Sequence, residues 1–456
     1  MSSKQFIFLS SAVILALSLG LALMHLFAQT SEVAWTAAIT LLTVILWVTE
    51  AIPIPAASLI PFALFPFAGV LTHKEVSAAL GSHVILLLMG GFMLSKSLEK
   101  SGVHRRLAIY MVRLVGVDNG RRVVIGFMFA AAILSMWISN TATTLILLPI
   151  ALAALQGIDD KAMAVALMLG IAYAASLGGI GTPIGTPPNV IFMSIYQEAT
   201  AKEVDFLGWM QTGVPIVLIG VPLMALWLTR KVSVSQCFIL PELGAWRPAE
   251  KRVLIVFGLV AIMWVTRKLW SSPLGLHAVG DSTIALLGVV LMFIVPNGEK
   301  QGTLLDWKTA GDIPWGMLLL FAGGIAIAKA FIASGLSDKM AGMLTSLAAL
   351  PLFALILLIC LFVTFLTEFT SNTATATLLM PILATVGVAA GVDPQILMMP
   401  AAISASCAFM MPVATAPNAI VYATDKLHIK EMAREGLVLN IMMALIISSV
   451  CYLSLA

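Results

Sequence analysis

Apolar residues run along this chain in long, almost charge-free stretches that are separated by short polar loops. Phe6 to Ala28, Phe206 to Thr229 and Val438 to Leu455 contain 18 to 24 residues each without an Asp, Glu, Lys or Arg side chain. A helix of about 20 residues crosses roughly 30 Å of hydrocarbon. This pattern predicts eleven spanning helices, at about 5–28, 33–50, 53–71, 80–101, 161–198, 207–229, 251–268, 282–296, 313–334, 393–424 and 435–455.

Two further stretches, Val123 to Gln156 and Leu350 to Thr385, are about 35 residues long. They are too long for one span and too short for two. Each carries small and polar residues at its middle, and irregular backbone within a membrane is tolerated only where protein or a water-filled cavity satisfies it. We therefore predict two re-entrant hairpins, at 122–157 and 350–386.

The chain repeats itself at a nearly constant offset. Ser139–Thr143 (SNTAT) recurs as Ser371–Thr375, an offset of 232 residues. Thr186–Asn189 (TPPN) aligns with Thr415–Asn418 (TAPN) at an offset of 229. Ordered matches of this kind indicate a duplicated unit. Because each unit contains an odd number of predicted spans, the second copy is expected to be inverted in the membrane.

The resulting layout has an N-terminal helix outside the repeats (1–30) and a first repeat (31–230) with the broken helix 161–198. A cytoplasmic linker (231–250) then leads to a second repeat (251–456) with the broken helix 393–424. Transporters with inverted repeats place their substrate at the repeat interface near the bilayer midplane, beside interrupted helices.

Composition and charge agree with this layout. Sixty per cent of the residues are hydrophobic and 10% are charged, which indicates a membrane protein. With the N-terminus in the cytoplasm and the C-terminus in the periplasm, eighteen Lys and Arg residues fall on the cytoplasmic side and five outside. This asymmetry follows the positive-inside rule for an inner membrane. The four cysteines lack metal-site spacing, and no basic stripe indicates a nucleic-acid partner.

The Ser-Asn-Thr motifs offer hydroxyl and amide groups without formal charge. Two such hairpin tips, meeting from opposite sides, could hold the two ends of a short dicarboxylate, with helix N-termini directed at the anion. The alternative is that these residues only cap the half-helices. We expect a cavity whose own side chains are uncharged.

The proline-rich breaks, Gly181 to Asn189 and Pro412 to Asn418, interrupt helices within the membrane and free carbonyl oxygens, which suit a cation such as Na⁺. Simple kinks are the alternative. Glu368 is the one acid inside a hairpin stretch. It could serve a cation or a proton, or it could satisfy the backbone of a broken helix. Met136 at the matching position of the first repeat favours the structural role.

With these motifs in view, the whole chain resembles the divalent-anion/sodium symporter family, which includes the sodium-dicarboxylate carriers. Thr49–Pro53 (TEAIP), the paired Ser-Asn-Thr motifs and the two breaks are in the family order. The resemblance implies a homodimer in the lipid bilayer that moves its substrate by an elevator-like displacement. It also implies co-transport of Na⁺ with C4-dicarboxylates such as succinate, malate or fumarate.

The resemblance further implies site residues, assigned motif by motif. Substrate would be held by the two tips and the adjoining breaks, at Ser139, Asn140, Thr141, Ser371, Asn372, Thr373, Pro188, Thr415 and Pro417. One sodium ion would bind around Ser135, Ser139, Asn140 and Gly185. The other would bind around Thr367, Thr370, Asn372 and Ala414.

Several alternatives remain at this point. A sodium-independent exchanger, or a symporter for citrate or sulfate, would use similar neutral groups, whereas a passive channel would need a continuous polar lining. No nucleophile-and-base constellation accompanies the motifs, so an enzyme is not expected. Moving a divalent anion into a negative interior costs roughly 4.6 kcal/mol per 100 mV. Two sodium ions only neutralise this charge, so accumulation driven by the potential requires a third cation.

Overall fold

The chain folds into apolar α-helices. The computed structural model describes residues 3–25, 29–156, 158, 160–233, 238, 240–299, 302–337, 339, 350–389 and 391–455. In chain order the helices of this described part are α1 (Ser3–His25), α2 (Ser31–Thr49), α3 (Ile54–Ala57), α4 (Ile60–Phe67), α5 (His73–Leu80), α6 (His83–Ser101), α7 (Val103–Val115), α8 (Gly120–Ser135), α9 (Asn140–Ala154), α10 (Lys161–Gly178), α11 (Pro187–Thr200), α12 (Phe206–Thr229), α13 (Pro248–Ser271), α14 (Asp281–Ile294), α15 (Trp307–Gly311), α16 (Trp315–Ser334), α17 (Leu352–Thr367), α18 (Asn372–Ala389), α19 (Gln395–Ser404), α20 (Ala416–Tyr422) and α21 (Ile429–Leu455).

Seven helical segments of the described part are long and apolar enough to cross a membrane: Ser31–Thr49, His73–Ser101, Lys161–Gly181, Phe206–Thr229, Pro248–Ser271, Trp315–Ser334 and Ile429–Leu455. Several further apolar helices are shorter, at 10 to 17 residues. The prediction of an all-α polytopic membrane protein is confirmed. The count of eleven spans and the inverted relation of the two repeats stay predictions.

The predicted span 53–71 is interrupted. It consists of α3 and α4, which are separated at Ser58 and Leu59. Pro61 has no N–H to donate to the carbonyl of Ala57, four residues earlier, so a continuous helix loses a hydrogen bond at this point. The indole of Trp47 on α2 donates to the Ser58 hydroxyl at 3.0 Å and ties the interruption to its neighbour.

Each predicted hairpin region contains two helices joined by four residues. In the first region, α8 (16 residues) and α9 (15 residues) are separated by 136–139. In the second, α17 (16 residues) and α18 (18 residues) are separated by 368–371. At 1.5 Å per residue such helices are about 22 to 27 Å long, which is less than the thickness of the hydrocarbon core. The turns therefore bring polar residues to an interior depth.

The two predicted broken helices are also interrupted. α10 continues through one turn of 3₁₀ helix, Gly179–Gly181, before α11 begins at Pro187. In the second half, α19 ends at Ser404 and α20 begins at Ala416. α10 packs closely against α8, and α20 packs against α9 and α10. The interruptions of both halves thus lie next to the hairpins.

Arginine side chains attach the linker 231–250 to the first half. The Arg106 guanidinium on α7 donates to the carbonyls of Gly244 and Ala245 at 2.7 and 3.0 Å, and it contacts Glu250 at 3.2 Å. Arg113 donates to the carbonyl of Pro241 at 2.9 Å. The described part of the linker is therefore fixed against α7.

The packing of α10 on α8 predicts a sensitive position. A Cβ added at Gly178 would collide with the backbone of Ala132 on α8, whereas one added at Gly258 on α13 would have no heavy atom within 4 Å. We expect Gly178→Ala to lower the free energy of unfolding by about 1 to 3 kcal/mol through overpacking. Gly258→Ala is the matched control and is expected to be neutral or slightly stabilising. Thermal unfolding of both variants in detergent tests this, and equal melting temperatures would contradict it.

Candidate functional site

The first hairpin tip is held by a hydrogen bond across its turn. Ser139 is the N-cap of α9, and its hydroxyl accepts the N–H of Ala142 at 3.2 Å. Ser135 at the end of α8 donates its hydroxyl to Asn140 Oδ1 at 2.6 Å. The capping role that the sequence allowed for Ser139 is thus present. Its O–H proton remains a donor, because accepting the bond uses only a lone pair of the oxygen.

The second tip has the same internal arrangement. The Thr367 hydroxyl donates to Asn372 Oδ1 at 2.8 Å and also lies 3.1 Å from the carbonyl oxygen of Ala405. The hydroxyls of Thr370 and Thr375 are 2.6 Å apart. In both halves a hydroxyl five residues before the asparagine therefore fixes the asparagine side chain. Ser135 and Thr367 are fully buried, so they lie behind the tips.

An asparagine closes each helix break. Asn189 Nδ2 donates to the carbonyls of Gly179 and Thr182 at 3.1 and 2.8 Å. Asn418 Nδ2 donates to the carbonyls of Ala408 and Met411, both at 3.0 Å. Both residues are fully buried and equivalent at the repeat offset of 229. Each asparagine therefore binds two carbonyl oxygens of the interrupted segment, where regular helical hydrogen bonding ends.

Glycine lets the first break touch the first tip. A Cβ at Gly185 would lie 2.9 Å from the carbonyl oxygen of Ser135 and would collide with the carbonyl of Gly179. A Cβ at Gly179 would lie 2.6 Å from Asn140 Oδ1. The structure therefore brings Ser135, Asn140 and Gly185, three residues of the first predicted sodium site, to one place.

The two halves meet at their breaks. The hydroxyls of Thr186 and Ser406 are 3.4 Å apart. The Tyr173 hydroxyl on α10 donates to the carbonyl of Phe409 in the second break at 2.5 Å. Both contacts join residues more than 200 positions apart in the sequence.

A cavity of about 830 Å³ lies between the tips and the breaks. The predicted site residues that line it are Ser139, Asn140, Thr141, Gly185, Thr370, Ser371, Asn372, Thr373, Ala414, Thr415 and Pro417. Ser135 and Thr367 lie behind this lining. Pro188 is buried, and its neighbour Pro187 lines the cavity instead.

Four helices begin at this cavity. The first residues of α9, α11, α18 and α20 are Asn140, Pro187, Asn372 and Ala416, and all four line it. Each helix N-terminus is equivalent to about half a positive charge. Their N-termini give the cavity a partly positive character without a basic side chain at those positions. The tip helices α9 and α18 also supply backbone N–H donors, whereas Pro187, Pro188 and Pro417 remove donors from the other two.

The mouth of the cavity is charged, and in this respect the expectation of an uncharged cavity was wrong. Glu50, Lys96, Glu99 and Asp312 are among the lining residues. Lys96 Nζ lies 3.0 Å from Glu99 and 3.8 Å from Asp312. Lys96 falls within the predicted span 80–101, where hydrophobicity alone gives it no role. Its match to Lys329 at an offset of 233 in the repeat is the sequence signal that distinguishes it.

Glu368 is a structural anchor. Its carboxylate is buried and accepts the N–H groups of Phe409, Met410 and Met411 at 2.7 to 2.9 Å, and Asn440 Nδ2 at 2.7 Å. These donors belong to the second break and to α21. The arrangement supports the structural alternative, because the carboxylate oxygens that a cation would need already accept four hydrogen bonds.

A variant pair tests this role of Glu368. Glu368→Met introduces the residue of the first repeat and leaves buried donors unpaired, each at a cost of about 1 to 3 kcal/mol. Glu368→Gln keeps one carbonyl acceptor and is expected to be less destabilised in thermal unfolding. A proton-carrying role would give a different result, in which Glu368→Gln melts like the unmodified protein while its uptake loses its pH dependence.

Comparisons with known proteins agree with this geometry. A sequence profile described as a citrate transporter matches residues 44–397. The chain is 42% identical over 443 residues to the sodium-dependent dicarboxylate transporter SdcS of Staphylococcus saprophyticus, covering 91% of this chain and 85% of that protein. It is 40% identical over 449 residues to SdcS of Staphylococcus aureus, covering 92% and 86%.

Two solved transporter structures share the fold. The YdaH transporter of Alcanivorax borkumensis has a TM-score of 0.59 at 14% identity, with 83% of this chain and 87% of that chain covered. MtrF of Neisseria gonorrhoeae has a TM-score of 0.61 at 15% identity, with 84% and 83% covered. The relatives in sequence are transporters and not enzymes. Taken with the profile match and the identity to SdcS, this assigns the chain to the divalent-anion/sodium symporter family.

Proposed function

We propose that this protein couples inward sodium flux to the uptake of C4-dicarboxylates, such as succinate, malate or fumarate, across the inner membrane. The observation that carries the proposal is the convergence of four helix N-termini and two Ser-Asn-Thr tips on one cavity. The partial positive charge at these N-termini favours a bound anion. The name of the SdcS relatives, sodium-dependent dicarboxylate transporters, supports the same substrate class and the same coupling ion.

In this proposal the tips hold the two carboxylates. Asn140 and Asn372 accept a hydrogen bond at Oδ1 from Ser135 and Thr367, so their Nδ2 groups remain free to donate to the substrate. Two neutral amides and the adjoining hydroxyls bind an anion with less desolvation than a buried ammonium or guanidinium would require. Neutral groups also attract an anion less strongly than a full positive charge does. The anion can therefore be released, which a transporter needs in every cycle.

The two sodium ions would lie behind the tips. The first would use Ser135, Ser139, Asn140 and Gly185, and the second Thr367, Thr370, Asn372 and Ala414. Each asparagine then contacts both the cation side and the substrate side of its tip. In this proposal, sodium bound at Oδ1 holds Nδ2 toward the cavity, so an empty sodium site is expected to weaken substrate binding.

The cavity opens on the side that carries Glu50, Lys96, Glu99 and Asp312. Lys100 and Asp306 form an ion pair of 2.6 Å at the same end of α6, in the region assigned to the cytoplasm by its excess of basic residues. We therefore take the structure as open to the cytoplasm. The homodimer, the inverted repeats and the elevator-like displacement belong to the same proposal.

Uptake by the asparagine variants tests the substrate site. We expect Asn140→Ala and Asn372→Ala each to reduce dicarboxylate uptake into proteoliposomes at least about 100-fold, because each removes a substrate donor and a cation ligand at once. Thr266→Ala, which alters an exposed hydroxyl on α13, is the control and should transport normally. Normal sodium-dependent uptake by both asparagine variants would contradict the site.

Sodium coupling is tested with radiolabelled succinate in proteoliposomes, with and without a sodium gradient. Symport predicts uptake only with the gradient. Ser135→Ala and Thr367→Ala should raise the half-saturating sodium concentration, because each removes a predicted ligand. Uptake that ignores sodium but requires internal dicarboxylate would support the exchanger instead.

Citrate is a second candidate substrate, since the matching family profile is described as a citrate transporter. Competition of succinate uptake by citrate and by sulfate ranks the three anions. A citrate affinity at least tenfold higher than that for succinate would reassign the substrate but leave the site unchanged.

A further inference from the structure

Two lysines at equivalent positions of the repeat have different partners in this structure. Lys96 on α6 and Lys329 on α16 match at an offset of 233 residues within the repeat, beside the paired Gly90 and Gly323. Lys329 Nζ lies 3.6 Å from Glu198 Oε1, and both side chains are partly buried. Lys96 lines the mouth of the open cavity. Lys329 therefore bridges α16 and α11, whereas Lys96 borders the cavity.

The bridge of Lys329 joins the two parts of the molecule that border the cavity. Glu198 lies near the end of α11, which begins at the first break, and α11 packs directly against α16. Lys96 has no such bridge within the described part of the chain. Its ion-pair partners there are Glu99, on its own helix, and Asp312, just after α15, which itself packs on α6.

The repeat relates the helix pair that holds Lys329 to the helix pair that borders Lys96. α16 corresponds to α6 and α11 corresponds to α20, so the closed contact of α11 with α16 has a counterpart in α20 and α6. In this structure those two helices face each other across the cavity: Gly91, Ser95 and Lys96 of α6 line it, as do Ala416 and Pro417 of α20.

An acid stands at the corresponding end of α20. Asp425 follows α20 by three residues and corresponds, at the offset of 229, to Tyr196 in the last turns of α11. This position is two residues from the counterpart of Glu198. Asp425 is exposed, and it takes part in no ion pair within the described residues.

We propose that Lys96 and Asp425 form an ion pair that closes this side of the cavity in the opposite state of the transport cycle, while the Lys329–Glu198 pair opens. The inference rests on the proposed function, because it assumes that the two halves exchange their conformations. Lys96 borders the cavity and Asp425 follows the helix that faces it, so closure of α20 on α6 would bring the two charges together. Each state then has one of the two ion pairs, Lys329–Glu198 or Lys96–Asp425. The ion pairs by themselves therefore favour neither state.

Cross-linking tests the pairing directly. The background for this experiment carries Cys237→Ser, and the other three cysteines are buried. We expect a bifunctional thiol reagent to link Cys side chains introduced by Lys96→Cys and Asp425→Cys. The link should arrest uptake until it is cleaved. Lys329→Cys with Glu198→Cys should behave in the same way. The matched control is Lys100→Cys with Asp306→Cys, an ion pair on one side of the cavity, whose link should leave uptake running.

Charge exchange gives a second readout that does not depend on cross-linking. Lys96→Asp and Asp425→Lys are each expected to slow uptake about three- to fivefold, the range of a partly exposed ion pair, and the double variant should recover to within about twofold. If Lys96 only attracts the anion to the mouth, both Lys96→Asp and the double variant will raise the KM for substrate without recovery, and the proposal is overturned.

The proposal and the proposed function fail in different ways. Absence of any sodium-dependent dicarboxylate uptake by the unmodified protein would contradict the function, whereas the cross-link is measured on the protein itself. A link between positions 96 and 425 that never forms, or that forms without arresting transport of whichever anion is carried, would contradict the ion pair.

Discussion

Interrupting a helix inside a membrane is the constraint on which this structure depends. A carbonyl or amide left without a partner in hydrocarbon costs several kcal/mol. The described part of the chain contains such interruptions at the two breaks, at the two hairpin tips and between α3 and α4. Polar side chains bind the backbone or a neighbouring side chain at each of them. Asn189 and Asn418 each bind two carbonyls. Once these groups are satisfied, the helix N-termini that the breaks create can face the cavity, where an anion becomes their natural partner.

The two halves satisfy the same requirement with different chemistry. In the first half, Gly179 and Gly185 allow the backbone of the break to lie directly against Ser135 and Asn140, and the Thr182 hydroxyl donates to the carbonyl of Met136 at 2.5 Å. In the second half, the carboxylate of Glu368 holds the N–H groups of the break. A tight backbone contact and a charged anchor respond differently to substitution. The two sodium sites of the proposed mechanism are therefore equivalent in position but not in electrostatic surroundings.

Charge is arranged in zones along the path of a substrate. The centre of the cavity is lined by hydroxyl, amide and backbone groups, and formal charges stand at the mouth on Glu50, Lys96, Glu99 and Asp312. A full positive charge at the centre would bind a dianion tightly and slow its release, whereas helix dipoles supply a weaker and fixed field. Lysines at the periphery can pair with carboxylates of the protein itself.

The sequence by itself determined the helical class, the places where the helices are interrupted and the polar residue types there, because hydrophobic stretches, prolines and a repeated motif can be read directly from the chain. The repeated motif identifies Asn140 and Asn372, which both line the cavity. Only the tertiary structure decided how these segments meet. Four donors converge on Glu368 from residues 409–411 and 440, far along the chain, and Lys96 reaches the mouth because α6 faces the breaks. Such partners are brought together by packing between distant helices, and hydrophobic periodicity carries no record of which polar groups will share one buried space.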